Sequence, residues 1–356
     1  MSRKTSETGW VVLTSKPARR RWLLGPAAAC ILAVLLASAL ACRRSAPQDP
    51  GKAGGLHPRV VVVLKFATHP ALDETETGVV EAIEAAKQGS HIPRTIRVER
   101  LNANGSPQLA KQLAESASRP GVLLIVAIAT PAAQAVAKTP SAIPIVYGAV
   151  ADPEGAGILA SGRATGIRNV GANIIEAALQ FIRVAFPQAV ELGTPYNPAE
   201  QNSVYVQSLL RVLAPRYGFV LVPAEVLDKT QVAGTVELLA RKSDVLYSAN
   251  DNTINAAAAT VVAVTRSTKT PFVIGDLSTL KAGALAAVGL EYRQLGRDVG
   301  RMAVSVLQGV PLSDLPPRDP PAPQVWLNEE TRQALGVTLP TAAQALVQHT
   351  LRGGGG

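Results

Sequence analysis

Short, wholly apolar runs alternate with longer stretches whose apolar positions recur every three or four residues, from Val60 to Gln308. The short runs are rich in Val, Ile, Leu and Ala and predict strands at Val60–Phe66, Thr95–Leu101, Val122–Ala127, Ile143–Tyr147, Phe219–Val222, Val245–Ser248, Phe272–Gly275 and Ala286–Gly289. The periodic stretches predict helices at Leu72–Gln88, Pro107–Ser118, Pro131–Lys138, Ile174–Phe186, Ser203–Tyr217, Val232–Arg241, Thr253–Thr265 and Gln294–Gln308. Strands that are apolar throughout, rather than at alternate positions, belong to parallel sheets covered on both faces. The order of elements from Val60 to Tyr147 is echoed from Glu191 to Leu290, with a Gly-rich break between Asp152 and Gly171. The expectation is an α/β protein of two similar lobes joined by crossing segments. Lobe 1 would hold residues 59–168 and about 281–312, lobe 2 residues 169–280 and about 313–340. Pro311 to Gln324 is proline-rich and predicts extended chain on the surface. A short helix capped by Asn328 should follow, and residues 341–356 read as a disordered tail.

With 356 residues, 47% of them apolar and only 4% aromatic, the chain can bury two cores of ordinary size. The formal charge of +9 is unevenly spread: residues 1–41 carry six basic side chains against Glu7, a net +5. The basic character is thus partly that of the leader, and no dense basic cluster interleaved with aromatics follows it. A nucleic-acid partner is not expected.

Residues 1–42 read as an export signal: Arg19-Arg20-Arg21, an apolar run from Trp22 to Ala41, then Ala-Leu-Ala-Cys at Ala39–Cys42. Small residues closing on a cysteine suggest a lipoprotein, cleaved before Cys42 and lipidated on its sulfur, with residues 43–58 as a tether. Cleavage after Ala-Leu-Ala by the ordinary peptidase and an uncleaved anchor are the rival readings. Each of them places the rest of the chain outside the cytoplasm, in the periplasm or on the cell surface. Cys30 and Cys42 are the only cysteines, so the exported body has neither a disulfide nor a cysteine nucleophile or metal site.

Candidate chemistry sits where predicted strands end. Thr130 and Pro131 stop one strand and open an alanine-rich helix, with Thr130 expected as N-cap and Pro131 at the first helical position. In a parallel sheet that junction lies at the carboxyl edge, where ligands bind. A helix start also offers free amides to an anion such as a carboxylate. The device recurs. His69-Pro70 opens the helix after the first strand. Asn197-Pro198 precedes Glu200 at capping-box spacing. Asn250, Asp251 and Asn252 lie between Tyr247 and a helix, and Asp276 follows another strand. Asp152 ends an apolar strand in an Asp-Pro turn pair. The five polar segments at Thr130, His69, Asn197, Asn250–Asn252 and Asp276, shared between both halves, predict one cleft. Asp152, Asp251 and Asp276 compete to receive an ammonium group, which is costly to bury unpaired.

Enzyme signatures are missing. The four histidines make no metal spacing, and there is neither a G-x-S-x-G elbow nor a P-loop. The stretch GAGILA at Gly155–Ala160 fits the dinucleotide fingerprint only loosely and lies in the Gly-rich break. No cofactor is expected.

In order and spacing, FATHPALDETETGVVEAI, VAIATPAAQAVA, AIPIVYGAVADPEGAGI, YNPAEQNS, NDNTI and GALAAVGLEYRQLGRDVGRMAVSVLQG resemble the substrate-binding proteins of ABC importers of the tryptophan/tyrosine type. The resemblance covers about Arg59 to Gly336. It implies two flavodoxin-like lobes in the type I periplasmic-binding-protein architecture, closing on a small ligand such as an aromatic or branched amino acid. It also implies a membrane permease as partner. Carried over by position, it points at His69, Thr130, Pro131, Ala132, Asp152, Asn197, Asn202, Ser203, Asp251, Asn252 and Asp276 as ligand-binding residues. Two departures stand out. Thr194-Pro195 interrupts the strand leading into the Asn-Pro motif, and Leu277 occupies a position where the family tends to have a small hydroxyl residue. An extracytoplasmic sensor or scaffold of the same fold is the alternative function.

Overall fold

The computed structural model describes residues 59–352. The leader, the lipidation position Cys42 and the tether lie outside the described residues. The apolar runs form strands, and the order of these strands sets where a ligand can sit. Five parallel strands make the first sheet: β1 (Val60–Lys65), β2 (Arg97–Asn102), β3 (Val122–Ile128), β4 (Ile145–Val150) and β5 (Ala164–Arg168), in the order β2-β1-β3-β4-β5. Every residue of β1 and β4 is buried, as two covered faces require. Helices α1 (Pro70–Gln88), α2 (Pro107–Ala117) and α3 (Thr130–Ala137) connect the first strands.

The second sheet has seven strands: β6 (Glu191–Tyr196), β7 (Val220–Glu225), β8 (Val245–Ser248), β9 (Phe272–Asp276), β10 (Ala286–Leu290), β11 (Gln324–Asn328) and β12 (His349–Leu351). They run in the order β12-β11-β10-β9-β8-β6-β7. Only the β10–β11 pair is antiparallel. Helices α4 (Ala172–Ala185), α5 (Gln201–Leu213), α6 (Val232–Ala240), α7 (Asn252–Ala256), α8 (Ala258–Ser267) and α9 (Leu277–Lys281) belong to this half. Its core splits into a cluster around Ile175, Phe181 and Val273 and another around Val236, Leu246 and Phe272. From β2 to β5 and from β7 to β10 the two sheets share the flavodoxin-like order, with reversals at β1/β3 and β6/β8.

Helix α10 (Tyr292–Leu307) returns to the first lobe and packs along α1. The crossing falls at Glu291 rather than near residue 281, because β10 pairs with β9 and β11 and so stays in the second sheet. Glycines let the two helices touch: a methyl on Gly296 would lie 2.2 Å from the carbonyl oxygen of Thr75, and one on Gly78 2.1 Å from that of Arg293.

Three local expectations change. The strand before Asn197 runs unbroken through Pro195, because β8 pairs with β6 only at Leu192 and Gly193. Beyond Gly193 just β7 still pairs, so proline's missing N–H falls where one side of the ladder has ended. The proline-rich segment does not merely lie on the surface. Arg318 exchanges backbone hydrogen bonds with Gly166 and Arg168 and seals the edge at β5. Residues 341–352 are ordered rather than disordered. Helix α11 (Glu329–Ala334) is followed by α12 (Thr341–Gln344), Leu339 and Ala343 are buried, and β12 pairs with β11 while His349 stacks on Trp326.

Candidate functional site

Both sheet reversals present their carboxyl ends to one region. From the first lobe come the ends of β1 and β3, carrying His69 and Thr130; from the second come the ends of β6 and β8, carrying Asn197 and Asp251. Two cavities lie there. An open cleft of about 770 Å³ has Phe66, Pro131 and Gln134 on one side and Asn197, Glu200 and Thr253 on the other. A small chamber with about 10 Å³ of free space is lined by His69, Ala149, Asn169, Asn202, Asn250, Asn252, Asn255 and Tyr292. Asn252 lines both.

His69 occupies the N-cap position of α1 but makes no capping bond. Its Nε2 lies 3.1 Å from Oδ1 of Asn252, across the two lobes. The Nδ2 of Asn252 donates to Glu200, which fixes the amide's orientation and leaves its oxygen toward the imidazole. Nε2 of His69 therefore carries the proton, and Nδ1 is a bare, buried acceptor with no partner among the described residues. Burial lowers the imidazole pKa from its usual value, outweighing the pull of Asp276 and Glu200, so the ring is neutral.

Glu200 is the organiser that the capping-box reading misplaced. Helix α5 starts at Gln201, with Glu200 in the N-cap position. Asn197 instead caps a turn, accepting from the amide of Ala199 at 2.9 Å. The Glu200 carboxylate is drawn across to the start of α7, where it accepts from the amides of Asn252 and Thr253 at 3.1 Å each and from Oγ1 of Thr253 at 2.8 Å. It also accepts from Nδ2 of Asn202 at 3.0 Å.

Asp251 caps α7, accepting from the amide of Ile254 at 2.8 Å, and also receives the amide of Asn197 at 2.6 Å and the hydroxyl of Ser203 at 2.8 Å. Burial, reinforced by the nearby Glu200 charge, pushes its carboxyl up to about 7 against these three donors. Ser203 and Asp251 thus brace the site from behind and line neither cavity.

Asn202 is held by Glu200 and by the carbonyl of Asn250, so its Oδ1 is left buried and unpartnered. The carbonyl oxygens of Asn169 and Asn255 and the hydroxyl of Thr130 share that condition among the described residues. Thr130 does not cap α3. It is the first helical residue, after Ala129 in a strained backbone conformation at φ 80°, and its hydroxyl stays free of the helix. Ala132 is fully buried beside it. Asp276 is buried and accepts from the amide and hydroxyl of Thr279, while its charge reaches both His69 and Tyr292. Asp152 accepts from the amide of Gly155 in its turn and lines neither cavity.

Sequence reasoning passed over Asn169, Asn255 and Tyr292, and named Asn250 as part of a polar segment without carrying it to the binding residues. Asn169 and Tyr292 sit on the crossing segments, and the Tyr292 hydroxyl donates to Asn250 Oδ1 at 2.9 Å. Polar side chains at the lobe crossings were the available signal. Among the described residues, no group of three His, Cys, Asp or Glu side chains could hold a metal ion, and no helix is long and apolar enough to cross a membrane.

The fold is that of a two-lobed ligand-binding protein. The family model for ABC transporter substrate binding proteins matches residues 60–350, and the chain belongs to that family. Over 281 residues it is 28% identical to a tyrosine-binding protein of Clostridioides difficile, spanning 77% of this chain and 79% of the relative. A Streptococcus pneumonia ABC domain in complex with L-Trp superposes with a TM-score of 0.75 at 26% identity, covering 82% of this chain and all of that one. The ligand-free, open structure of a Clostridium difficile substrate-binding protein with adhesive properties gives 0.60 at 28% identity, over 83% of this chain and all of that one. The family and these relatives are substrate-binding proteins, not enzymes.

Proposed function

We propose that this chain captures a free amino acid between its lobes for an ABC importer. One observation carries the reading. Among the described residues, nine buried side-chain polar atoms have no hydrogen-bond partner, and four of them belong to residues lining one small chamber at the joined sheet reversals. An unmade buried hydrogen bond costs about 1–3 kcal/mol, so such a concentration is retained for a ligand that satisfies it. The hydroxyl of Thr130, buried just behind the cavities and unpartnered among the described residues, and the helix start at Pro131 on the open cleft suit the carboxylate. Asn197, Asn202, Ser203, Asp251, Asn252 and Asp276 form or brace the wall of the second lobe, with His69, Pro131 and Ala132 from the first. The relatives named for tyrosine and crystallised with L-Trp make an aromatic amino acid the first candidate.

In this reading the leader exports the chain, lipidation of Cys42 ties it to the membrane, and a permease receives the ligand. Native mass spectrometry of the freshly purified chain tests the binding claim. An adduct with the mass of an amino acid, released by mild activation, is expected. A ligand-free chain that also shows no thermal shift with any of the twenty free amino acids would refute it.

A further inference from the structure

The fully buried, unpartnered side-chain atoms of the residues that line the chamber are all acceptors. His69 offers Nδ1, and Asn169, Asn202 and Asn255 each offer a carbonyl oxygen. Two of these roles are set by their neighbours. Nε2 of His69 must donate to Asn252, whose amide is oriented by Glu200, so Nδ1 can only accept. Nδ2 of Asn202 faces the Glu200 carboxylate and the Asn250 carbonyl, so Oδ1 is the end that remains. Glu200 does not offer its charge directly: five donors already surround its carboxylate. Asp251 is engaged by three others.

Resting on the amino-acid reading above, we propose that the chamber is a specificity filter for an unsubstituted primary ammonium. Neutral acceptors receive the ammonium, and none of Asp152, Asp251 and Asp276 lines the chamber. A primary ammonium brings three N–H donors in a volume close to that of one water, enough to pair three of the four acceptors around about 10 Å³ of free space. The positive charge is compensated one bond further out. Glu200 holds the amide of Asn202 and so polarises its unpartnered oxygen, and through the amide of Asn252 it acts on the imidazole of His69. Ligands with a substituted nitrogen are rejected by lack of space, and ligands without the nitrogen by the acceptors left unpaired.

Isothermal titration of the unmodified chain tests this without relying on any variant to fold. The twenty free amino acids are titrated first. The best binder is then compared with its N-acetyl, N-methyl and deaminated forms. Each of these is expected to bind about a hundredfold or more weaker, since a site built to pair a polar group rejects analogues lacking it. Affinity should also fall at acid pH, because a protonated His69, faced by Glu200, Asp276 and Asp73, would present a donor to the ammonium; Asp251 titrates higher, at about 7, so the two effects separate along the pH axis. If the free amino acid binds but its N-acetyl form matches it within a few-fold, the filter is overturned and the amino-acid reading stands. If none of the twenty binds, both fall together.

Discussion

His69 shows how one neutral ring ties stability to pH. Its folded pKa lies below the usual value of about 6.5, so the folded state resists protonation more than the unfolded state does. The stability it contributes is present above pH 6.5 and is lost as pH falls below that value. Asp251 has the opposite sign. Its folded pKa of about 7 lies above its unfolded value, so its contribution is present at low pH and is lost as pH rises through 7. Calorimetric melting of the chain and of His69→Gln separates the two: the wild type should lose more stability than the variant between pH 7.5 and 5.5. Equal losses would mean that the ring is not buried neutral.

Ala129 makes a second test at this scale. Its φ of 80° is strained for any residue with a β-carbon. Ala129→Gly should therefore change stability by less than about 1 kcal/mol, since relief of strain offsets the lost methyl. Ala127→Gly, in the regular part of β3, should cost about 1–2 kcal/mol. Chemical denaturation of both variants decides it, and a larger loss at Ala129 would contradict the strain argument.

The contact between α1 and α10 depends on bare backbone at Gly78, Gly296 and Gly300. Gly296→Ala sets a methyl against the Thr75 carbonyl, where neither backbone can yield without shifting the helix. A loss of about 2 kcal/mol or more, read as a fall in Tm of several degrees, is expected. An unchanged Tm would show that the helices stand further apart. Elements of this kind were largely legible in the sequence, because wholly apolar runs and helical periodicity report burial directly. The strands at β1, β3 and β8 and the helix predicted at Leu72–Gln88 follow from that pattern alone, and His69-Pro70 marked its start. What stayed hidden depends on pairing between distant segments. Pro195 could remain in a strand only because β8 ends early, and β12 forms only because β11 offers an edge. Glu200 looked like a local capping residue and instead reaches across fifty positions to α7. Local spacing cannot reveal such a bond.

On the scale of the whole molecule, the chamber is assembled from parts that no single lobe owns. His69 comes from the first lobe, Asn202 and Asn255 from the second, and Asn169 and Tyr292 from the crossings. Separating the lobes would break up this set of acceptors, and a ligand that paired them would favour the joined arrangement by its differential affinity for it. The polar segments at strand ends marked this region in the sequence, but the crossings supplied residues that strand-end logic could not reach. The most direct measurement is isothermal titration of the wild type and of Asn255→Ala, confirmed as folded by its melting curve, with the twenty free amino acids. Saturable one-to-one binding of at least one amino acid by the wild type, weakened about tenfold or more in Asn255→Ala, is the predicted result. Equal affinity in both proteins, or no binding by the wild type, would contradict it.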